Sequence, residues 1–529
     1  MSSREPERRA GLAAVAVFAF LTVYFTGSFP PFANPNELSR LETVYAFVEL
    51  GTFQIDRAIP VLMDHEDKSS SGGHFYSNKA PGLAFAAIPV YRLLRLVFPA
   101  PRSASDAIFV LVRMLTVSLL TALALARFTA RLPPGPGAAL VPFAIAFGTP
   151  LLFYGRTFFG HAWSAALLFL AWDLIRLSEE QALSRKIGVL LFGAGLLAGW
   201  AAISEYTTAP IAVVLAVRAV ARRPLKTWLL FGAGGAIPLL LLMSYNASCF
   251  GSPWVLSSAR EAFGEYAALA GKGLFGFGAP NPRVAWNFLF HPARGLLLFS
   301  PFWLWLVPGF LAWWRDRTGC ADCLFALAAT AGFFILLTGY PNWAGGWSLG
   351  NRYLLPVVFL AGLAVARGLV SPVSRGLFAA AVAFSAAAHF LMTAAWPHLP
   401  SNLSWPPATG SLWFLERGWI APNLLSSLGW VSLVPPALLV GAAGVLAVRA
   451  ARPLSPPALV AAPAGLLLFA ATVLLAPAPG FGARLWRAVV YGTYSGLDPE
   501  REELKRAVQS ASTPSERNTA ADAWHRYGK

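Results

Sequence analysis

Residues 34–83 read NPNELSRLETVYAFVELGTFQIDRAIPVLMDHEDKSSSGGHFYSNKAPGL, the first long polar insertion in an otherwise apolar sequence. The insertion carries Glu37, Arg40, Glu42, Glu49, Asp56, Asp64, Glu66, Asp67, Lys68 and Lys79, in a chain with only 25 acidic residues. It follows directly on the first hydrophobic run. A membrane protein that places such a loop there is expected to carry its chemistry in it.

Around this loop the composition excludes a soluble protein. Of 529 residues, 56% are hydrophobic and 12% charged, against roughly 25% charged in soluble domains. Apolar runs of roughly 20 residues, enough to cross a bilayer, recur along the chain. The predicted spans are 11–29, 106–126, 139–155, 162–177, 187–204, 208–221, 226–245, 296–314, 321–339, 353–369, 375–394, 428–449 and 455–475, or about thirteen. The expected fold is an all-α polytopic membrane protein.

The net charge of +16 resides in short basic loops between spans. These are Arg127/Arg131, Arg176/Arg185/Lys186, Arg218/Arg222/Arg223/Lys226, Arg315/Arg317, Arg367/Arg375 and Arg449/Arg452. Such a distribution follows the positive-inside rule and argues against nucleic-acid binding. It assigns 30–105, 156–161, 205–207, 246–295, 340–352 and 395–427 to the outer side, with a cytoplasmic N-terminus and an external tail. The apolar segment 82–99 would invert this scheme if it crossed. It contains Arg92, Arg95 and a proline, so it is expected to lie in the outer interface. The module 1–479 is thus expected to span the membrane, and 480–529 to form a short polar helical tail. Cys320 and Cys323 form one C-x-x-C without a partner pair, so they read as incidental thiols rather than a zinc site.

Several outer-face constellations could carry chemistry. Glu37 and Arg40 lie three apart, a spacing that puts an acid and an arginine on one helical face, or makes a surface ion pair, and are followed by a short amphipathic helix, LETVYAFVEL, ending at Gly51. The run GGHFYSNKAPG, 72–82, includes Tyr76 and brings Lys79 to headgroup depth, where an ammonium can bind a phosphate or simply snorkel. At an outer corner, GRTFFGH holds Arg156 and His161. Glu205 ends an apolar run, where a carboxylate is costly and usually functional. YPNWAGGWSLGNRYLLP, 340–356, carries Trp343, Trp347, Asn351, Arg352 and Tyr353, either an aromatic belt or a polar pocket. His291 and Arg294 form a weaker candidate.

The order acid-x-x-Arg, short helix, G-[TD]-[FW], acid-rich gap and G-x-x-[YF]-x-x-K-x-P resembles the first external loop of GT-C glycosyltransferases. It is similar to the protein O-mannosyltransferase and lipid A aminoarabinose transferase type over roughly the first 210 residues. Beyond that, only Arg352–Pro356 is similar to a late tyrosine-containing element. Aligning on the arginine places Glu37 at the family's catalytic Asp; aligning on the acidic pair places Asn36 there. The resemblance implies phosphate contacts for Arg40 and Lys79. The chain has Arg156 and His161 where the family often has Arg-x4-Asp, and Glu205 where aminoarabinose transferases have a lysine. Those departures argue against an aminoarabinose donor and leave a divalent metal open; no other cofactor is implied.

The implied activity is transfer of a sugar from a polyprenyl-phosphate carrier to a glycan, lipid or protein acceptor, usually with inversion, outside a bacterial inner membrane. In that reading Glu37 is the base. Arg40, Lys79, Arg156 and Arg352 hold the phosphate. Asn36, Asp56, Tyr76, His161, Glu205, Trp343, Trp347 and Tyr353 shape the substrate site. The competing readings are a transporter or flippase of lipid-linked sugars and a catalytically inactive lipid-glycan-binding relative. Charge in outer loops rather than at mid-span favours the enzyme.

Overall fold

The computed structural model describes residues 5–26, 34–181, 184–221, 223–264, 267–268, 276–316, 319–451, 460–495 and 507–519. Parts of the expected outer loops, of the first and last spans and of the tail, and the basic residues Arg222, Arg317 and Arg452, lie outside these residues. The described chain is mostly helical, with one two-stranded sheet. Among the described residues the apolar runs fall largely on helix, and six helices there are long and apolar enough to cross a membrane, against the thirteen spans expected: Ala107–Arg131, Arg185–Ser204, Leu225–Phe250, Cys320–Thr338, Pro372–Ala394 and Ser426–Ala450. Shorter apolar helices pack among them.

In chain order the elements that position the site are α1 (Glu5–Tyr24), α2 (Pro35–Leu50), β1 (Lys68–Ser71), β2 (His74–Ser77), α3 (Gly82–Leu94), α4 (Ala107–Arg131), α5 (Gly160–Glu179), α6 (Ser184–Ser204), α7 (Ala209–Val220) and α8 (Leu225–Phe250). Later come α9 (Cys320–Thr338), α10 (Pro372–Ala394) and α11 (Val434–Ala450). Asn34 caps α2 by accepting from Asn36 N, Pro35 fills the first turn, and Gly51 ends it in the left-handed region. At 13 residues, α3 extends about 20 Å at 1.5 Å per residue. That is well short of a hydrocarbon core of about 30 Å, so α3 cannot cross as a straight helix. It packs instead against α2, α4 and α6.

Two layers of polar contacts mark opposite ends of the bundle. At one end, the basic ends of α4, α5 and α7 meet two buried acids, Asp173 and Asp322, and the exposed Glu179. Asp173 takes Arg127 at 2.7 Å. Asp322 takes Arg218 at 3.0 Å, Arg176 at 3.1 Å and the Trp172 indole N–H at 3.0 Å. Glu179 takes Arg218 at 2.7 Å. Charges this deep persist because each has a partner. The loops grouped by the charge rule are therefore joined by contact.

At the other end of α6, about 30 Å away by helix rise, lies the first loop. Its strands pair in register from Lys68↔Ser77 to Ser71↔His74. The two-residue turn between them, Gly72-Gly73, has φ of 59° and 82°, which glycine adopts without steric cost. The N-terminal helix is also fixed at this end. Tyr24 Oη donates to Ser432 O at a separation of 408 residues, and Thr26 N donates to Pro422 O at 2.9 Å.

Candidate active site

The first turn of α2 aims its polar side chains inward, and Arg40 is almost wholly buried. Its Nη1 donates to both the backbone and side-chain oxygens of Asn36. Its Nη2 donates to Glu205 Oε1 at 2.8 Å. Asn36 therefore orients Arg40. Glu205 sits in the extended residue between α6 and the turn leading to α7, with φ −145° and ψ 104°.

Two glycines let other segments approach this carboxylate. A Cβ on Gly82 would stand 2.8 Å from the Ile203 carbonyl, whereas the Trp200 indole N–H donates to Gly82 O at 2.8 Å. This contact docks the Lys79-Ala-Pro-Gly82 run against the end of α6. A Cβ on Gly160 would stand 2.3 Å from Glu205 Oε1. The carboxylate thus lies against the first turn of α5, where the helix N-terminus favours negative charge. Gly160→Ala is expected to push Glu205 off Arg40, lowering stability by about 1–3 kcal/mol, as overpacking does. Thermal unfolding in detergent measures this; an unchanged midpoint would show that the carboxylate is free to move.

The charges around Glu205 are mainly positive. Burial raises its carboxyl, while the Arg40, Arg352 and Lys79 charges pull it back without cancelling the rise. Lys79 Nζ bonds Asp67 Oδ1 at 2.9 Å. Burial pushes Asp67 up, but Lys79 more than offsets this and holds it below its ordinary value. The Arg352 guanidinium lies 5.1 Å from the Phe159 ring centre. The Tyr353 ring is 5.4 Å from His161 and 5.7 Å from Tyr340.

Several buried polar atoms here have no hydrogen-bond partner among the described residues: both ring nitrogens of His161, both amide atoms of Asn351, and Nε of Arg40 and Arg352. His161 Nδ1 is 3.7 Å from Glu205 Oε1, beyond a hydrogen bond. Buried polar atoms are normally satisfied, so this concentration suits a polar ligand.

The remaining expected site residues make the following contacts. Glu37 is fully buried. Its Oε1 accepts Phe158 N–H at 2.7 Å and lies 3.2 Å from Arg113 Nε. These contacts of Glu37 join α2, α4 and the 155–160 corner. Arg156 donates to Thr393 O and lies 4.9 Å from the Phe25 ring centre, on the Glu37 side. Asp56 accepts Phe75 N–H at 3.2 Å, outside the hairpin. Tyr76 packs in a satellite core with Tyr245, Cys249 and Phe250. Trp343 stacks near His291 at 5.0 Å, and the more exposed Trp347 near Trp486 at 6.3 Å. Of these, Glu37 lies near enough to act on the Arg40 charge, and Glu37, Arg156 and Arg352 all act on His398.

Residues not singled out by sequence also belong here. Asp67 sits in an acid-rich gap whose pattern gives no rank among its acids. Asn78 directly precedes Lys79, and Glu261 enters from the second outer loop. Arg294, the weaker candidate named from the sequence, donates to the carbonyls of Ala344, Gly346 and Leu399 and to Ser348 Oγ. It thereby shapes the loop that carries Arg352. Among the described residues no group of three or more His, Cys, Asp or Glu could hold a metal ion.

No protein-family profile matches the sequence, and no curated protein matches it. Among solved structures, ArnT from Cupriavidus metallidurans in the apo state is 16% identical, over 98% of this chain and 88% of that one, with a TM-score of 0.47. The same protein bound to undecaprenyl phosphate is 15% identical over 88% and 76%, at 0.49. The arabinosyltransferase EmbB from Mycobacterium smegmatis is 13% identical over 88% and 40%, at 0.45.

Proposed function

We propose that the chain is a membrane glycosyltransferase that moves a sugar from a polyprenyl-phosphate carrier to an acceptor at the outer side of a bacterial inner membrane, with inversion. The observation that carries this reading is the convergence of Arg40, Lys79 and Arg352 on Glu205, beside buried polar atoms without protein partners. The loop resemblance points the same way.

The charge balance suits the reaction. Three cations, Arg40, Lys79 and Arg352, gather around Glu205 and Asp67. A sugar phosphodiester carries a single negative charge. As its C–O bond breaks, the bonding electrons stay with the phosphate, which gains a second negative charge. Fixed guanidinium and ammonium groups stabilise that developing charge more than the ground state, which is what accelerates the step. His161, Asn351 and Tyr353 are placed to bind sugar hydroxyls or pack against the ring. Sugar identity is left to experiment.

The test is transfer by purified protein from a panel of radiolabelled polyprenyl-phosphate sugars to an extract of envelope acceptors. Wild type is expected to transfer label from one donor. Lys79→Ala is expected to lower that rate about 10²–10³-fold, the usual cost of removing one charge-stabilising donor. Binding of the carrier sugar by wild type without transfer from any donor would favour a transporter or binding protein.

A further inference from the structure

The second outer loop meets the first at a small polar seam. Glu261 bridges Ser69, and Ala262 N donates to Lys68 O at 2.8 Å. Ser69 Oγ donates to Ser257 O at 2.7 Å, and Ser257 Oγ donates to Asn78 O at 3.1 Å. These contacts hold the Glu261 side chain over Asn78. The amide nitrogen of Asn78 donates to Glu261 Oε1 at 2.8 Å and Oε2 at 3.0 Å, and stands 3.4 Å from Asp67 Oδ1. Asp67 in turn holds Lys79. A continuous polar row therefore runs from Lys79 through Asp67 and Asn78 to Glu261. Asn78 is over nine-tenths buried, and its Oδ1 has no partner among the described residues.

The two carboxyls of this row are driven apart. Asp67 is held down by Lys79 despite its burial. Glu261 is raised to about 7, chiefly by burial, with Asp67 adding to the rise and Lys79 and Asn78 opposing it. Two acids with divergent environments are the usual sign of divided roles. Glu261 is only half-buried, unlike Glu37, so a hydroxyl arriving from outside can reach it.

We propose that Glu261 is the general base that takes the acceptor's proton, positioned by Asn78, and that the acceptor approaches along the seam between the two outer loops. The inference rests on the glycosyltransferase reading above. In the step, the acceptor O–H proton passes to the Glu261 carboxylate. The acceptor oxygen's electron pair forms the new bond to the sugar's anomeric carbon. The bond from that carbon to the phosphate oxygen breaks, its electrons leaving with the carrier phosphate toward Arg40, Lys79 and Arg352. The base is active when ionised, so activity rises with pH through its pKa.

The experiment uses the full-length purified chain and the donor that wild type accepts, with transfer rates measured from pH 5.5 to 9. Binding of unlabelled polyprenyl phosphate is measured alongside. Wild type is expected to show a rising limb near pH 7. Glu261→Gln is expected to lose about 10²–10⁴-fold of the plateau rate, the usual worth of a general base, and the limb, with carrier binding within twofold. Glu261→Asp, which keeps a carboxylate, is expected to keep a limb at reduced rate and displaced pH. Glu261→Gln retaining more than a tenth of the rate with the limb in place overturns the assignment. So does Glu261→Asp with a wild-type profile, should the Gln variant not fold. Absence of transfer by wild type from every donor refutes the glycosyltransferase reading itself, and the base with it.

Discussion

Arg40→Ala is expected to eliminate measurable transfer and to destabilise the folded protein at the same time. The first effect follows from removing one of three cations facing the phosphate, worth about 10²–10³ in rate. The second follows from leaving Glu205 with its 2.8 Å partner gone. Breaking a buried pair from one side costs about 3–5 kcal/mol, because the remaining charge keeps its desolvation penalty. Glu205 retains some solvent access, so the lower figure is the better expectation. The two effects separate in a double variant. Arg40→Ala with Glu205→Gln removes the orphaned charge and is expected to recover most of the unfolding midpoint in detergent, without recovering transfer. Arg40→Ala that transfers within threefold of wild type would remove Arg40 from the catalytic role, and normal folding of that variant would remove it from the structural one.

Arg294→Ala is the second large effect, and it acts through a loop. The Arg294 guanidinium is buried and satisfies three backbone carbonyls and one hydroxyl between residues 344 and 399. Truncation orphans these oxygens at about 1–3 kcal/mol each where they stay buried. The segment is expected to rearrange rather than bear the sum, which moves Arg352 away from Glu205. Stability should fall and transfer be lost together, and Arg294→Lys should restore little, because an ammonium lacks the planar fork. Limited proteolysis within 340–352 of the variant, with wild type resistant, is the structural readout. Wild-type resistance and activity in Arg294→Ala would show that the loop holds its shape alone.

The helical architecture was legible because it is a local property. Apolar runs and their basic ends are set by neighbours in sequence, and among the described residues the runs fall largely on helix. Within the site, Arg40 and Lys79 were legible as cations of the first polar loop, and His161, Glu205, Arg352 and Tyr353 as polar residues at the ends of apolar runs, where burial without function is costly. Their convergence was not. Glu205 meets Arg40 across 165 positions, and nothing periodic announces such a pairing. Glu37 illustrates the converse. Its spacing to Arg40 suggested one functional face, yet Arg113, inside an apolar run, takes its carboxylate into the helix bundle. Glu261 was hidden because its raised pKa arises from packing between loops, to which composition is blind.

The attachment of Tyr24 and Thr26 to residues 422–432 bears on how the protein is made. The first helix enters the membrane at the start of synthesis, whereas its partners emerge some 408 residues later. At about 5–20 residues per second, that is a wait of roughly 20–80 s. Throughout it, the flank of α1 that will meet α11 faces lipid or the insertion machinery. A nascent chain stalled before residue 422 has the polar loop but no strap across its outer end.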